Sequence, residues 1–151
     1  MEFGPPEIFG RVTFCDDIRM EIDGKLTLVG CYGADLVIQT PFPILIAKLG
    51  IVVHFYEKPT EDRLPLKLEI FFPGDSENIP SIVSETQLSD ISFPEESINL
   101  RDEDTRRVAQ MHIILSPVNI LSEGYIRVRL TKGVNTYRIG RIRVGLIKNI
   151  L

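Results

Sequence analysis

An alternation of apolar and polar side chains with a period of two residues recurs along almost the whole chain, and it limits the possible folds more than any other feature. The segments EIFGRVTFC, KLTLVGCY, LKLEIFF and GYIRVRLTK all alternate in this way, and LIAKLGIVVHFY is almost continuously apolar and rich in β-branched residues. A period of two is typical of a strand with one buried face, and a continuous apolar run is typical of a central strand. No segment has a helical period over eleven or more residues. The pattern therefore predicts an all-β protein.

Seven segments are clear strands in this pattern: the five quoted above, together with RRVAQMHIILS and NTYRIGRIRVGLI. Residues 73–106 have a weaker pattern, with several prolines and many serine and acidic residues, and they predict long connections with one or two short edge strands and a possible helical turn. Many short strands without helices predict an antiparallel β-sandwich, immunoglobulin-like or C2-like, with about seven to nine strands; a barrel is the less favoured alternative.

The length of 151 residues predicts a single domain over residues 1–151. No apolar run approaches the roughly 18 residues of a membrane helix, and the start of the chain is acidic and lacks a hydrophobic signal core. Two cysteines are too few for a disulfide framework or a four-cysteine zinc site. We therefore expect a cytoplasmic protein that makes no contact with membranes and holds no cofactor.

The first two strands form a predicted hairpin whose register follows from the alternation. The apolar residues of both strands share a face only if paired residue numbers have an even sum. A three-residue loop, Ile22 to Gly24, meets this condition and places glycine where such loops need a left-handed residue. This register puts Glu21 opposite Lys25, as a cross-strand ion pair, and Cys15 opposite Cys31, with Cα atoms less than about 7 Å apart.

The same register places Asp16 on the apolar face, opposite Gly30. A buried carboxylate needs hydrogen bonds or a cation, so we expect Asp16 to be a structural acid, largely buried, whose replacement by alanine costs roughly 1–3 kcal/mol. The alternative is a metal or ligand site that Asp16 shares with Asp17 and that acids from loops, such as Asp35, or a histidine, His54 or His112, could join. The sequence contains no calcium-loop spacing, G-x-S-x-G motif or phosphate-binding glycine loop that would specify a reaction.

The two cysteines are interpreted as small, half-buried apolar residues. A redox switch is the alternative, although the sequence has no C-x-x-C motif.

Positive charge is concentrated at the end of the chain. The residues after Glu123 contain seven basic and no acidic side chains, a net charge of +7, whereas the residues up to Glu123 have a net charge of −11. In the last two strands, a change of phase at Gly140 predicts a β-bulge. The bulge would place one set of side chains on a common face, which we call the arginine face: Tyr125, Arg127, Arg129, Arg141 and Arg143.

A stretch of the first 55 residues resembles a family of small, mostly bacterial proteins of unknown function. The similarity is carried by Phe14-Cys15-Asp16-Asp17, by Gly24-Lys25, by Leu28-x-Gly30-x-Tyr32, by Pro43 and by a central strand over 49–55. The resemblance implies a bacterial protein with a strand-rich fold and implies no catalytic or binding residues.

These observations favour a non-catalytic module for protein interaction or assembly, which binds another protein or an anionic ligand through the arginine face or an edge strand. An edge strand could also mediate a dimer. Two alternatives stay open: a small metal-dependent enzyme that uses Asp16 and Asp17, and nucleic-acid binding by the C-terminal arginine hairpin. The pI near 5.2 and the lack of an aromatic platform disfavour nucleic acid.

Overall fold

A computed structural model describes residues 8–86 and 106–150, and within them nearly all regular structure is β-strand. The strands in chain order are β1 (Phe9–Met20), β2 (Leu26–Cys31), β3 (Asp35–Ile38), β4 (Ile44–Ile46), β5 (Leu49–Glu57), β6 (Leu66–Phe71), β7 (Ile82–Thr86), β8 (Arg107–Leu115), β9 (Val118–Ile120), β10 (Gly124–Lys132) and β11 (Asn135–Leu146). One helical turn, α1 (Ile147–Ile150), follows β11.

Two main sheets contain most of these strands. The first sheet has the order β2-β1-β5-β8, and the second sheet has the order β3-β11-β10-β6-β7. β4 and β9 form a separate antiparallel pair. Neighbouring strands are antiparallel except β3 and β11, which are parallel.

The predicted all-β, sandwich-like fold is confirmed, but the described residues contain eleven strands and not seven to nine. The difference comes mainly from β3, β4 and β9, which have only three or four residues each. Such strands are too short for an alternation to be visible. β7 is the short edge strand expected within 73–106, and the predictions for residues 87–105 lie outside the described part of the chain.

The main hydrophobic core lies between the two sheets. The first sheet contributes Phe14 of β1, alternate residues of β5, and Ala109 and Met111 of β8, while the second contributes apolar residues of β3, β6, β10 and β11. The largest fully buried side chain is Phe55 of β5, and its ring contacts that of Tyr137 in β11 at 5.4 Å between centroids. Because β5 pairs on both sides, its nearly continuous apolar sequence is explained by its central position.

The two sheets come close together where β1 crosses β11, and glycine permits the approach on both strands. A Cβ atom on Gly10 would lie 2.5 Å from Cγ2 of Ile139, and one on Gly140 would lie 3.0 Å from Cβ of Val12. Each strand therefore places a branched side chain against a glycine of the other strand. These two contacts fix β11, which is part of the arginine face, against the first hairpin.

A buried ionic cluster joins the two sheets at one end of the core. The Glu57 carboxylate in β5 accepts hydrogen bonds from Arg107 in β8 and from Lys132 in β10. All three residues are less than 10% exposed. Arg107 also donates to the carbonyl oxygen of Glu61 at 2.9 Å, which fastens the loop after β5. The Glu57 carboxylate supplies a negative charge in contact with both buried cations, as buried ions need.

The predicted register of the first hairpin is confirmed. Cys15 pairs with Cys31, and Gly24 in the loop has a φ of 82°. The amide of Glu21 donates to the carbonyl of Lys25 at 2.8 Å. The predicted ion pair between these two residues is wrong, because the Lys25 ammonium lies 2.9 Å from Asp23 in the loop.

The prediction that Asp16 is buried is wrong, because β1 changes phase beside it. Phe14 packs into the main core, whereas Cys15 and Ile18 pack on the opposite face of the sheet around Val52. Both cysteines are free thiols, Cys15 buried and Cys31 exposed. Within this irregular stretch the Asp16 side chain does lie over Gly30, as expected, but it is exposed to solvent.

Candidate functional site

The outer face of β10 and β11 carries a ladder of arginine side chains. Cross-strand pairing sets Arg127 opposite Arg141, Arg129 opposite Arg138, and Tyr125 opposite Arg143. The alternate residues of β10 (Ile126, Val128 and Leu130) are buried in the core, so the arginines point away from it. The predicted arginine face is therefore confirmed as a geometric feature, and it contains a fifth arginine, Arg138, that the sequence interpretation omitted.

A β-bulge accounts for the position of Arg138. Val128 pairs with Gly140 and Arg129 pairs with Arg138, so Ile139 is the extra residue in β11. The bulge lies where the sequence predicted it. Because it restores the alternation, Arg138 and Arg141 share a face although they are three positions apart. The signal that could have identified Arg138 was the same change of phase.

These arginines line a pocket of about 690 Å³ between the ladder and the segment that connects β6 to β7. Its lining consists of Phe71, Glu77, Asn78, Arg127, Val128, Arg129, Arg138, Gly140 and Arg141. The volume is within the range of sites that hold small ligands or short peptide segments. Four guanidinium groups and one carboxylate line it, so the pocket is strongly cationic.

Two of the five arginines are neutralised by acids of neighbouring strands. Nε of Arg129 lies 2.8 Å from Oε2 of Glu69 in β6, and Nε of Arg143 lies 2.6 Å from Oδ1 of Asp35 in β3. The hydrogen bond from Arg129 lowers the pKa of Glu69, and Lys67 adds a smaller effect of the same sign. The hydrogen bond to Asp35 raises the pKa of Arg143. Arg129 and Arg143 therefore contribute to the fold.

The other three, Arg127, Arg138 and Arg141, form no ion pair with a carboxylate in the described part of the chain. Arg127 lies over the Phe71 ring, with 5.0 Å from its Cζ to the ring centroid, and donates to the carbonyl oxygen of Asp75 at 3.4 Å. Arg141 lies over Tyr125 at 4.4 Å. Aromatic rings and a carbonyl orient the guanidinium groups of Arg127 and Arg141 but do not neutralise their charge. We call Arg127, Arg138 and Arg141 the unpaired arginines.

This arrangement can bind an anion. Guanidinium groups that share a pocket repel one another, and an anion between them relieves the repulsion while accepting charge-assisted hydrogen bonds. Arg127 and Arg141 are already held in place, so little side-chain entropy is lost when they bind. The sequence interpretation distinguished a binding face, whose arginines have no acidic partners, from a structural face, whose arginines are paired with acids. The structure contains both kinds: three arginines have no acidic partner among the described residues, and two are paired.

Asp16 and Asp17, the acids of the alternative site, have different partners. Asp16 accepts a hydrogen bond from the hydroxyl of Tyr32. Asp17 lies 3.2 Å from the ammonium of Lys48, and that hydrogen bond lowers its pKa. The described residues include no group of three or more histidine, cysteine or acidic side chains that could hold a metal ion. Nothing in these contacts supports a metal centre at Asp16 and Asp17.

The contact between Tyr32 and Asp16 can be measured. Burial, together with the hydrogen bond and the negative charge of Asp16, raises the pKa of Tyr32 from 10.0 to about 12. We expect Asp16→Asn to lower this pKa, and absorbance titration of tyrosinate, with Tyr32→Phe as the blank, measures the change. Because the folded state holds the proton more tightly, the wild type should lose stability as the pH rises from 10 through 12, and Asp16→Asn should lose less. An unchanged titration would contradict the contact.

The two histidines lie on the outer face of the first sheet, on the neighbouring strands β5 and β8 and two positions apart in the register. Nε2 of His54 is 2.9 Å from the side-chain oxygen of Gln110, and His112 is exposed on β8. His54 is half-exposed, as its place in the alternation predicted, whereas His112 is more exposed than predicted.

None of the helical structure in the described ranges is long and apolar enough to span a membrane. The resemblance to the bacterial family stays a prediction. A search of protein-family models, of curated proteins and of solved structures found no match to this chain.

Proposed function

We propose that this protein is a non-catalytic interaction module that binds an anionic group of a partner protein in the arginine pocket. The observation that carries the proposal is the set of unpaired arginines. Arg127, Arg138 and Arg141 line one pocket without a described carboxylate partner, although the chain has 21 acidic residues. The neighbouring Arg129 and Arg143 are already neutralised by acids of β6 and β3. Unpaired arginines on the same face therefore favour a binding role.

The surroundings of the pocket support a protein partner over nucleic acid. Single-stranded nucleic acid is usually held by bases that stack on exposed aromatic rings. Here Phe71 is buried and lies beneath Arg127 and Arg129, and Tyr125 is covered by Arg141. Phe71 therefore offers no open stacking surface, and Arg141 occupies one face of the Tyr125 ring, which is 38% exposed. The net charge of −4 also opposes the general attraction to a polyanion.

The test measures binding of a fluorescein-labelled hexaglutamate peptide by anisotropy. We expect binding that weakens steeply with salt, since exposed charges are screened over about 8 Å at physiological ionic strength. Arg127→Gln/Arg141→Gln should weaken it at least tenfold, because a hydrogen bond to a charged group contributes roughly 1.5–3 kcal/mol. The thermal midpoint should hardly change, since neither arginine has an acidic partner in the described structure.

The matched control is Arg11→Gln/Arg19→Gln, which removes the same charge from exposed positions of β1 in the first sheet. It should change the affinity less than about twofold. Equal weakening by both pairs would mean that net charge alone attracts the peptide, and the proposed site would be wrong. The proposal would also be wrong if the wild type did not bind the peptide at low salt.

A further inference from the structure

The positive charge of the pocket is spread along the strands and does not converge on one point. The guanidinium of Arg141 lies over Tyr125, which belongs to the next pair of the ladder on one side. Arg138 belongs to the next pair on the other side, opposite Arg129. The Arg127–Arg141 pair lies between them. A compact anion such as free phosphate would reach one of these positions, whereas an extended ligand would reach two.

The spacing of the ladder matches that of an extended peptide. The pair Arg127–Arg141 and the pair Arg129–Arg138 are two residues apart along β10, a distance of about 6.8 Å. Side chains at positions i and i+2 of an extended peptide are separated by the same rise and point to the same side. Two acidic side chains with one residue between them would therefore face successive pairs of the ladder.

We infer that the partner presents an extended acidic segment in which two aspartate or glutamate residues alternate with another residue. This inference rests on the proposed function and names the ligand of the same pocket. The first carboxylate faces the Arg127–Arg141 pair, in which neither arginine has an acidic partner among the described residues. The second lies beside Arg138, because Arg129 in that pair is already bound to Glu69. Both carboxylates bind in their ionised form and make no covalent bond with the protein.

The ends of the pocket fit this assignment. On one side, the next pair of the ladder is Tyr125 and Arg143, and Arg143 is bound to Asp35. Beyond Arg129 and Arg138, the next pair is Thr131 and Thr136, whose hydroxyls contact each other at 3.2 Å. The uncompensated charge thus extends over two pairs of the ladder and ends at both sides. The three unpaired arginines and the Glu77 carboxylate leave the pocket with a net charge of +2, which two acids neutralise and a longer acidic run exceeds.

The experiment compares six-residue peptides of one composition, with two glutamates and four serines, in which only the positions of the acids differ. Peptides this short do not form stable helices, so the spacing in sequence sets the spacing in space. The glutamates are adjacent, or separated by one residue, or separated by two. We expect the one-residue spacing to bind roughly tenfold more tightly than adjacent glutamates, the gain of one further charge-assisted contact.

Combining the variant Arg138→Gln with changes in the peptide tests whether Arg138 contacts the second carboxylate. This variant should weaken the peptide with one-residue spacing by roughly tenfold and leave a peptide with a single glutamate unchanged. The control variant Arg11→Gln should change neither. If Arg138→Gln weakens both peptides equally, the assignment of the second carboxylate is wrong.

The outcomes separate this inference from the function on which it rests. If hexaglutamate binds at the pocket but the three spacings bind equally, the extended geometry is wrong and the anion-binding function stands. If no acidic peptide binds, the function fails as well. The third probe is an oligodeoxythymidylate. If it binds more tightly than the peptides and loses affinity for Arg127→Gln/Arg141→Gln, the ligand of the pocket is nucleic acid and not an acidic peptide.

Discussion

Replacing Glu57 with glutamine is expected to destabilise the protein by about 3–5 kcal/mol. Glutamine keeps the size and shape of the side chain but removes the negative charge that both buried cations, Arg107 and Lys132, contact. A domain of this size has a free energy of unfolding of roughly 5–15 kcal/mol, so the variant should lose a large part of it. Urea denaturation followed by circular dichroism measures the change.

Two further variants show where the loss comes from. Glu21→Gln removes a carboxylate from the exposed end of β1 and should cost less than about 0.5 kcal/mol. Replacing Glu57, Arg107 and Lys132 together with methionine should recover most of the loss, because it removes all three buried charges at once. If Glu57→Gln unfolds at the same urea concentration as the wild type, the cluster is hydrated and not buried.

Truncation of Phe55 should have an effect of similar size. The side chain is fully buried in the central strand and contacts Tyr137 across the core. Phe55→Ala removes the ring and leaves a cavity between the sheets, for which we expect a loss of about 3–5 kcal/mol. The same denaturation measurement detects it.

The matched control for this truncation is Phe9→Ala at the start of β1. Its ring lies on the outer face of the first sheet, stacked on Tyr56 at 4.5 Å between centroids, and it is only partly buried. We expect a loss well below that of Phe55→Ala, about 1 kcal/mol, for an aromatic pair near the surface. Equal losses would contradict a core centred between the two sheets.

The first hairpin shows how much of this fold could be predicted from the sequence. The alternation and the glycine of the loop gave the correct register, because both are properties of adjacent residues. The burial of Asp16 was predicted wrongly because the alternation was extended through a stretch where β1 changes phase. Gly30, opposite Asp16, has a φ of 65°, a conformation that a regular strand does not have. A pattern that assumes regular strands cannot locate such a residue.

The arginine face was predictable in geometry but not in chemistry. The change of phase at Gly140 placed the arginines on one face, since that depends on β10 and β11 alone. Which arginines are neutralised depends on Asp35 and Glu69, and their strands reach the hairpin only through the order of the second sheet. The Glu57 cluster depends on topology in the same way, because its partners are 50 and 75 positions away in sequence.

The reciprocal contacts of Gly10 with Ile139 and of Gly140 with Val12 have a mechanical consequence. Displacement of one sheet along its strands would drive a branched side chain against the backbone of the opposite strand, because neither glycine position has room for another atom. The contacts therefore resist shear between the sheets at the place where the bulge positions Arg138 and Arg141. We therefore expect ligand binding to leave the relative position of the sheets unchanged.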